Sequence, residues 1–164
     1  MDDIISQTKA EYLRTKDRLI KVLSVTPDDK INWSPTPTSR TPIQVAAHCA
    51  DAIHLVVDNI LKERPFPFSG FSEFDASMRA AELPFTTREQ TLELLEKNSH
   101  EFFAFIDGLT PEALGTTVKS FLGELPMTVA IGIPTEHTRA HIAQIEYLQT
   151  IWGDRDWHMT PPAA

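Results

Sequence analysis

Apolar and polar positions alternate along this chain with a helical period over most of its length. Ile5, Thr8, Tyr12, Thr15, Leu19 and Val22 stand three and four apart, which predicts one helix with a single buried seam over residues 2–24. Leu13, Ile20 and Leu23 widen that stripe, and Pro27 with the following DDK ends it. The stretch TPIQVAAHCADAIHLVVDNILKER sets Val45, His48, Ala52, Leu55 and Asn59 on one face. Thr41 stands three residues before Gln44 as in a capping box, and Pro42 suits a first helical position, so a second helix is expected from about 42 to 62. TREQTLELLEKNSHEFFAFIDGL predicts a third: Leu92, Leu95, Phe102, Ile106 and Leu109 keep the spacing, Thr86 with Glu89 offers a capping box, and Gly108 a stop. A fourth is expected from about 127 to 152, with Ile133, His137, Ala140, His141, Gln144, Leu148 and Ile151 on one face and Gly153 beyond its end. Pro134 inside that pattern lacks a backbone donor and would clash with the carbonyl of Ala130, so either a kink or a helix start near 134 is expected.

The connecting segments are less regular. INWSPTPTSR is held extended by Pro35 and Pro37, and Trp33 within it is placed to plug the end of a core. Residues 63–86 carry Phe66, Phe68, Phe71 and Phe74 among prolines, with SEFDASMRAAE suited to a short helix. So many rings need cover: they close over a pocket, pack a bundle end, or meet a partner chain. TPEAL reads as one capped turn at Thr110–Leu114, TTVKSFLGELP as a loop or short hairpin, and DRDWHMTPPAA as an irregular tail. Four helices with one buried stripe each, and no long strand, predict an all-α four-helix bundle. The connections of about 18 to 24 residues are long for a simple up-down bundle and imply crossovers.

Composition narrows the picture. A chain of 164 residues fits one domain, 1–164, and 41% hydrophobic with 23% charged residues suffices for a core without disulfides or a structural metal. A metal here would serve chemistry. Lys and Arg number 15 against 23 Asp and Glu, and the net charge of -8 argues against nucleic acid and against anionic membrane surfaces as partners. MDDIISQTK lacks the basic-then-apolar pattern of a secretory signal, and no apolar run is long enough to cross a bilayer. Cys49 is the single cysteine, so no intrachain disulfide forms and a reducing cytoplasm is the expected location.

The candidate chemistry lies in the histidines at 48, 54, 100, 137, 141 and 158. His137 and His141 are separated by about 40° around a helix and about 6 Å along it, so both rings reach one ion at about 2.0–2.1 Å. An isolated pair at this spacing is more often a surface coincidence. Its position on the apolar stripe weighs the other way, because two imidazoles in a core need several partners and a metal supplies them. The zinc-protease pattern HExxH is absent, since Thr138 follows His137 and Glu136 points about 100° away. A third ligand must come from elsewhere. His48 is the best placed, on the inner face of the second helix beside Ala47 and Ala52. His54 lies about 240° around that helix and Cys49 about 100°, so neither shares its direction, and Cys49 reads as a core residue. Asp51 and Gln144 are placed to orient His48 and His141 from behind, although a solvated Asp and a packed Gln explain them equally well.

NWSPTPTSRTPIQVAAH resembles the Trp-x-Pro loop and first-histidine helix of the DinB-like metalloenzymes, and EHTRAHIAQIEYLQTIWG resembles that family's H-x-x-x-H-x-x-Q helix ending in Gly. The resemblance spans roughly residues 4–153, and its two motifs are specific only together. It implies a DinB-like four-helix bundle with long crossovers and a three-histidine site open on one side. Carried over, the metal ligands are His48, His137 and His141, holding a divalent ion: nickel, zinc or iron. It also implies a homodimer. Its characterised members include S-transferases and an isomerase dependent on a low-molecular-weight thiol. Three functions follow as expectations: a metal-dependent enzyme acting on a small-molecule substrate, including thiol-dependent S-transfer; a metal-dependent hydrolase; and a non-catalytic metal- or ligand-binding module of a stress response. Pro134, just before the last two ligands, departs from the family pattern and puts their geometry in question.

Overall fold

A computed structural model of the chain describes residues 2–159. It contains α1 (Asp2–Val25), α2 (Pro42–Leu55), a π-helical segment (Val56–Leu61), α3 (Phe71–Glu82), α4 (Arg88–Asp107), α5 (Pro111–Leu114), β1 (Thr117–Ser120), β2 (Gly123–Pro126), α6 (Met127–Ala130) and α7 (Ile133–Ile151). The long helices α1, α2, α4 and α7 make the four-helix bundle. α2 packs against both α4 and α7, and α1 packs against α7 and α4. The core takes Leu19 and Val22 from α1 and Phe102 and Ile106 from α4, as the periodicity expects, together with Ile43 and Ile53 from α2 and Ile145 from α7, which lie outside the faces read there; Ala140, Gln144 and Ile151 of the expected α7 face are exposed. Leu13 is the exception on α1. It sits at the edge of the stripe and is exposed rather than widening it.

Polar groups within this core are paired across helices. Ser99 Oγ donates to Leu95 O, so the Tyr12 hydroxyl donates to Ser99 Oγ at 2.6 Å, tying α1 to α4. Asn98 Nδ2 donates to Ala50 O at 2.8 Å, tying α4 to α2. At the end of α1, where helix carbonyls lack intrahelical donors, Gln149 Nε2 reaches Val22 O at 3.1 Å and Arg88 Nε reaches Leu23 O at 2.9 Å. Trp33 is half-buried and packs edge-on against Trp152, ring centroids 5.7 Å apart, at one end of the bundle.

The helix starts follow from local chemistry. Thr41 caps α2 in a complete capping box with Gln44, with Pro42 in the first turn. α4 also begins with a capping box, but one residue later than expected: Thr87 and Gln90, not Thr86 and Glu89. The run TTREQ holds both frames. The second wins because one Gln90 Oε1 accepts from the backbone N–H of both Thr86 and Thr87, at 3.2 and 3.3 Å. Pro134 lies in the first turn of α7, where no intrahelical donor is needed, so the helix starts at Ile133 and is not kinked there. The expected 127–152 element is therefore two: α6, then α7.

The long connections are partly ordered. Residues 116–126 form an antiparallel hairpin with Val118 opposite Leu125, turning through Phe121 and Leu122 onto Gly123 at φ +100. α3 covers SEFDASMRAAE as expected. Its Phe71, Phe74, Met78 and Glu82 recur every three or four residues and so form one face. At the start of that face, Phe66 stacks on Phe121 of the hairpin at 4.2 Å, with Phe68 and Phe74 edge-on around it. The rings pack on one another across the crossover and the hairpin.

Candidate metal centre

α2 and α7 face each other, and His48, His137 and His141 lie on the facing sides. His48 is buried. His137 and His141 are half-buried, each keeping an edge towards solvent. The ring centroids are 5.1 Å (48–137), 4.6 Å (48–141) and 4.4 Å (137–141) apart. One nitrogen of each ring lies within 4.8 Å of those of the other two. The Nε2 atoms of His137 and His141 are 3.2 Å apart, close to the separation of two nitrogens sharing one ion at about 2.0–2.1 Å.

The other ring nitrogens are held from outside. His48 Nδ1 donates to Glu82 Oε1 at 2.9 Å, and His141 Nδ1 donates to Gln144 Oε1 at 2.9 Å. Both bonds fix the tautomer in which Nδ1 carries the proton, leaving the Nε2 lone pairs of His48 and His141 bare. Burial, reinforced by His141, His48 and Arg40, pushes His137 down to about 3. Burial also lowers His141 against the opposing hydrogen bond of Gln144. Both rings are therefore neutral near pH 7, the form that binds metal. Three converging imidazoles suit nickel, zinc or iron and do not suit magnesium or calcium, which take oxygen. The residues fit a divalent transition metal.

Glu82, at the end of α3, was missed by the sequence reading. It is a carboxylate only 2% exposed, and it accepts twice from Arg40: Nε to Oε2 at 2.6 Å and Nη2 to Oε1 at 2.9 Å. Burial works to raise its pKa, but the hydrogen bonds from His48 and Arg40 outweigh that and leave it below the ordinary glutamate range. Asp51, expected behind His48, does not take that place. Among the described residues the partner of His48 is Glu82, while Asp51 is half-buried and raised by its own burial. Gln144 is hydrogen-bonded to His141.

A model of the DinB superfamily matches residues 11–145 of the chain. The chain belongs to the DinB superfamily. By sequence it matches no curated protein. Among solved structures, an uncharacterised protein from Clostridium difficile 630 superposes with a TM-score of 0.72 at 14% identity, covering 90% of this chain and 96% of that one. YfiT from Bacillus subtilis, described as a probable metal-dependent hydrolase with an unusual four-helix bundle topology, gives a TM-score of 0.65 at 19% identity over 91% and 87% of the two chains. A mycothiol-dependent maleylpyruvate isomerase gives 0.63 at 10% identity over 86% of this chain, which spans 60% of that longer one. At these identities the likeness is one of fold.

In this DinB-superfamily protein the remaining histidines lie apart from the centre. His100 is exposed and 3.2 Å from Glu96, and His158 lies 2.7 Å from Asp154. His54 groups with Asp58 and Glu101 as a second possible donor set. Lys62 bonds both Asp58 and Glu101, and Arg64 bonds Asp58, so two cations already balance two carboxylates there. That set is an ion-pair network. Cys49 is fully buried, and burial pushes its thiol far above its ordinary value. A surface groove of about 580 Å³, lined by Arg40, Arg79, Val45, Gln144, Tyr147 and Leu148 among others, adjoins the outer partners of the histidines.

Proposed function

We propose that this DinB-superfamily protein is a metal-dependent enzyme acting on a small molecule, joining a low-molecular-weight thiol through its sulfur to an apolar electrophile: the S–H proton goes to solvent, the S–C bond forms, and the electrophile expels a leaving group or takes up a proton. The observation that carries this reading is the convergence of three imidazoles, His48, His137 and His141, two with Nδ1 tied back so that Nε2 is free. These three side chains would hold the ion: nickel, zinc or iron. Such an ion supplies a Lewis acid that acidifies a water or thiol at its open position. The protein's part is to present neutral nitrogens, keep one side covered by α3, and leave the solvent edges of His137 and His141 for the reactants. A homodimer in a reducing cytoplasm, with no nucleic-acid or membrane partner, belongs to the same reading.

Hydrolysis is the second reading, since the same nitrogens would serve it and the fold is that of YfiT, described as a probable hydrolase. A hydrolase needs a base near the water. Glu82, the carboxylate bonded to a histidine of the triad, is occupied by Arg40, which favours thiol transfer.

Metal analysis of the purified protein tests the common core. One divalent ion per chain is expected, lost in His48→Ala with the helical spectrum retained. Absence of metal from the wild type after loading would end both readings and leave a non-catalytic module. Thiol consumption with a panel of electrophiles, against release of acid from ester and amide panels, then separates transfer from hydrolysis.

A further inference from the structure

Glu82 stands out because nothing about metal ligation requires it to be where it is. A carboxylate 2% exposed is costly unless every oxygen is engaged. Here both are: Oε1 accepts from His48 Nδ1 and Arg40 Nη2, and Oε2 from Arg40 Nε. The residue comes from α3, a helix outside the four of the bundle, and its partners come from the middle of α2 and from the loop before it. α3 has few other inward anchors. Met78 is its other buried side chain, Phe74 is half-buried in the aromatic cluster, and Arg79 reaches Thr38 O at 3.0 Å. Among the described residues, the one bond joining α3 directly to the histidine centre is therefore also one of the few holding α3 on the bundle.

We propose that Glu82 is a positioning residue that couples metal occupancy of the three-histidine centre to the docking of α3. Fixing His48 in the tautomer with Nε2 bare spares the ion the work of orienting that ring. Arg40 holds the carboxylate by a two-point fork that a lysine cannot reproduce. Coupling of this kind is reciprocal: if the docked α3 tightens metal binding, bound metal tightens α3 by the same factor. His141 offers an internal comparison, since its partner Gln144 is neutral, exposed and on the same helix, and links the centre to nothing else. The proposal rests on the reading that the three histidines hold a metal.

The test uses Co(II) as the probe. Its affinity is measured by competition with a chromophoric chelator, its coordination by visible absorption, and α3 by amide hydrogen exchange over residues 71–82. In the wild type, Co(II) is expected to slow exchange in that segment. Glu82→Gln keeps the shape but removes the charge, and Arg40→Lys keeps the charge but removes the fork. Each is expected to weaken Co(II) by roughly 10–100-fold, as loss of an orienting partner does elsewhere, and to abolish the metal-dependent protection. Gln144→Ala is expected to leave that protection in place. Far-ultraviolet spectra check the folds, and Arg40→Lys carries the test if Glu82→Gln does not fold. Folded variants binding Co(II) within twofold of the wild type, or losing affinity while α3 still responds to metal, would overturn the coupling. Failure of the wild type itself to bind Co(II), or unchanged binding in His48→Ala, would instead overturn the metal reading beneath it.

Discussion

Two buried side chains show how little freedom the core leaves to polar groups. The Tyr12 hydroxyl gives its proton to Ser99 Oγ, and the ring meets Phe102 and Phe103 edge-on at 5.3 and 5.4 Å. Tyr12→Phe keeps the ring and the Ser99–Leu95 bond and removes one donor. The expected cost is about 0.5–1.5 kcal/mol, measured by urea unfolding. Tyr12→Ala removes the ring as well and should cost about 3–5 kcal/mol. Near-equal losses in the two variants would mean that the hydroxyl, not the ring packing, dominates. Cys49 tests burial by chemistry. Its thiol is 0% exposed and its ionisation is suppressed, so the thiolate that reacts is scarce and sheltered. Labelling by a thiol reagent at pH 8 is expected to be complete in denaturant and negligible in the folded protein over the same time. Rapid labelling of the folded chain would show that α2 opens locally.

At the scale of the element, the start of α4 makes a sharp prediction. Thr87→Ala should destabilise the protein by about 1 kcal/mol, as loss of a cap does, while Thr86→Ala should stay within about 0.5 kcal/mol. The reverse order in thermal unfolding would restore the earlier frame. The sequence could not decide this, because TTREQ satisfies the pattern twice and the choice lies in which backbone groups one amide can reach. α2 was easier: one threonine, one glutamine and one proline permit one frame. The histidine pair of α7 was legible because helix geometry alone puts residues 137 and 141 together, and His48 because it shared a stripe with small apolar neighbours. The role of Glu82 was not. In AAELPF it reads as a polar residue near the end of a short, largely exposed helix. Its burial is decided by His48 and Arg40, 34 and 42 residues away. The π-helical turn at Val56–Leu61 likewise has no local signal. It follows α2 without a break.

Across the whole molecule, the net charge of -8 coexists with ion pairs at the seams between helices. Lys9 meets Asp107 and Lys16 meets Glu96 between α1 and α4, Arg18 meets Glu146 between α1 and α7, and Lys62 with His54 meets Glu101 between the α2 side and α4. Glu96 lies below the ordinary glutamate range chiefly through its bond from Lys16. Glu101 lies below it because the bonds from His54 and Lys62 outweigh the opposing effect of burial. A carboxyl whose pKa is lower folded than unfolded stabilises fully above its unfolded value, about 4.3. That contribution fades as pH falls through the folded value, because there the unfolded chain takes up more protons. Other groups titrate over the same range, so the clean quantity is a difference between proteins. Glu101→Gln should melt below the wild type at pH 7, by an amount set by partly exposed pairs and therefore small. The gap should narrow as pH falls below about 4.3, the unfolded glutamate value, and close only once the folded carboxyl has taken up its proton as well. Added salt should narrow it at pH 7 as well, since screening acts on the same attraction. A gap that stays constant across this range would mean that Glu101 acts by packing rather than charge. A gap that widens as pH falls below about 4.3, where the glutamate itself titrates, would mean that its folded carboxyl is raised, and that His54 and Lys62 do not hold α4 against the end of α2 in the way their geometry indicates.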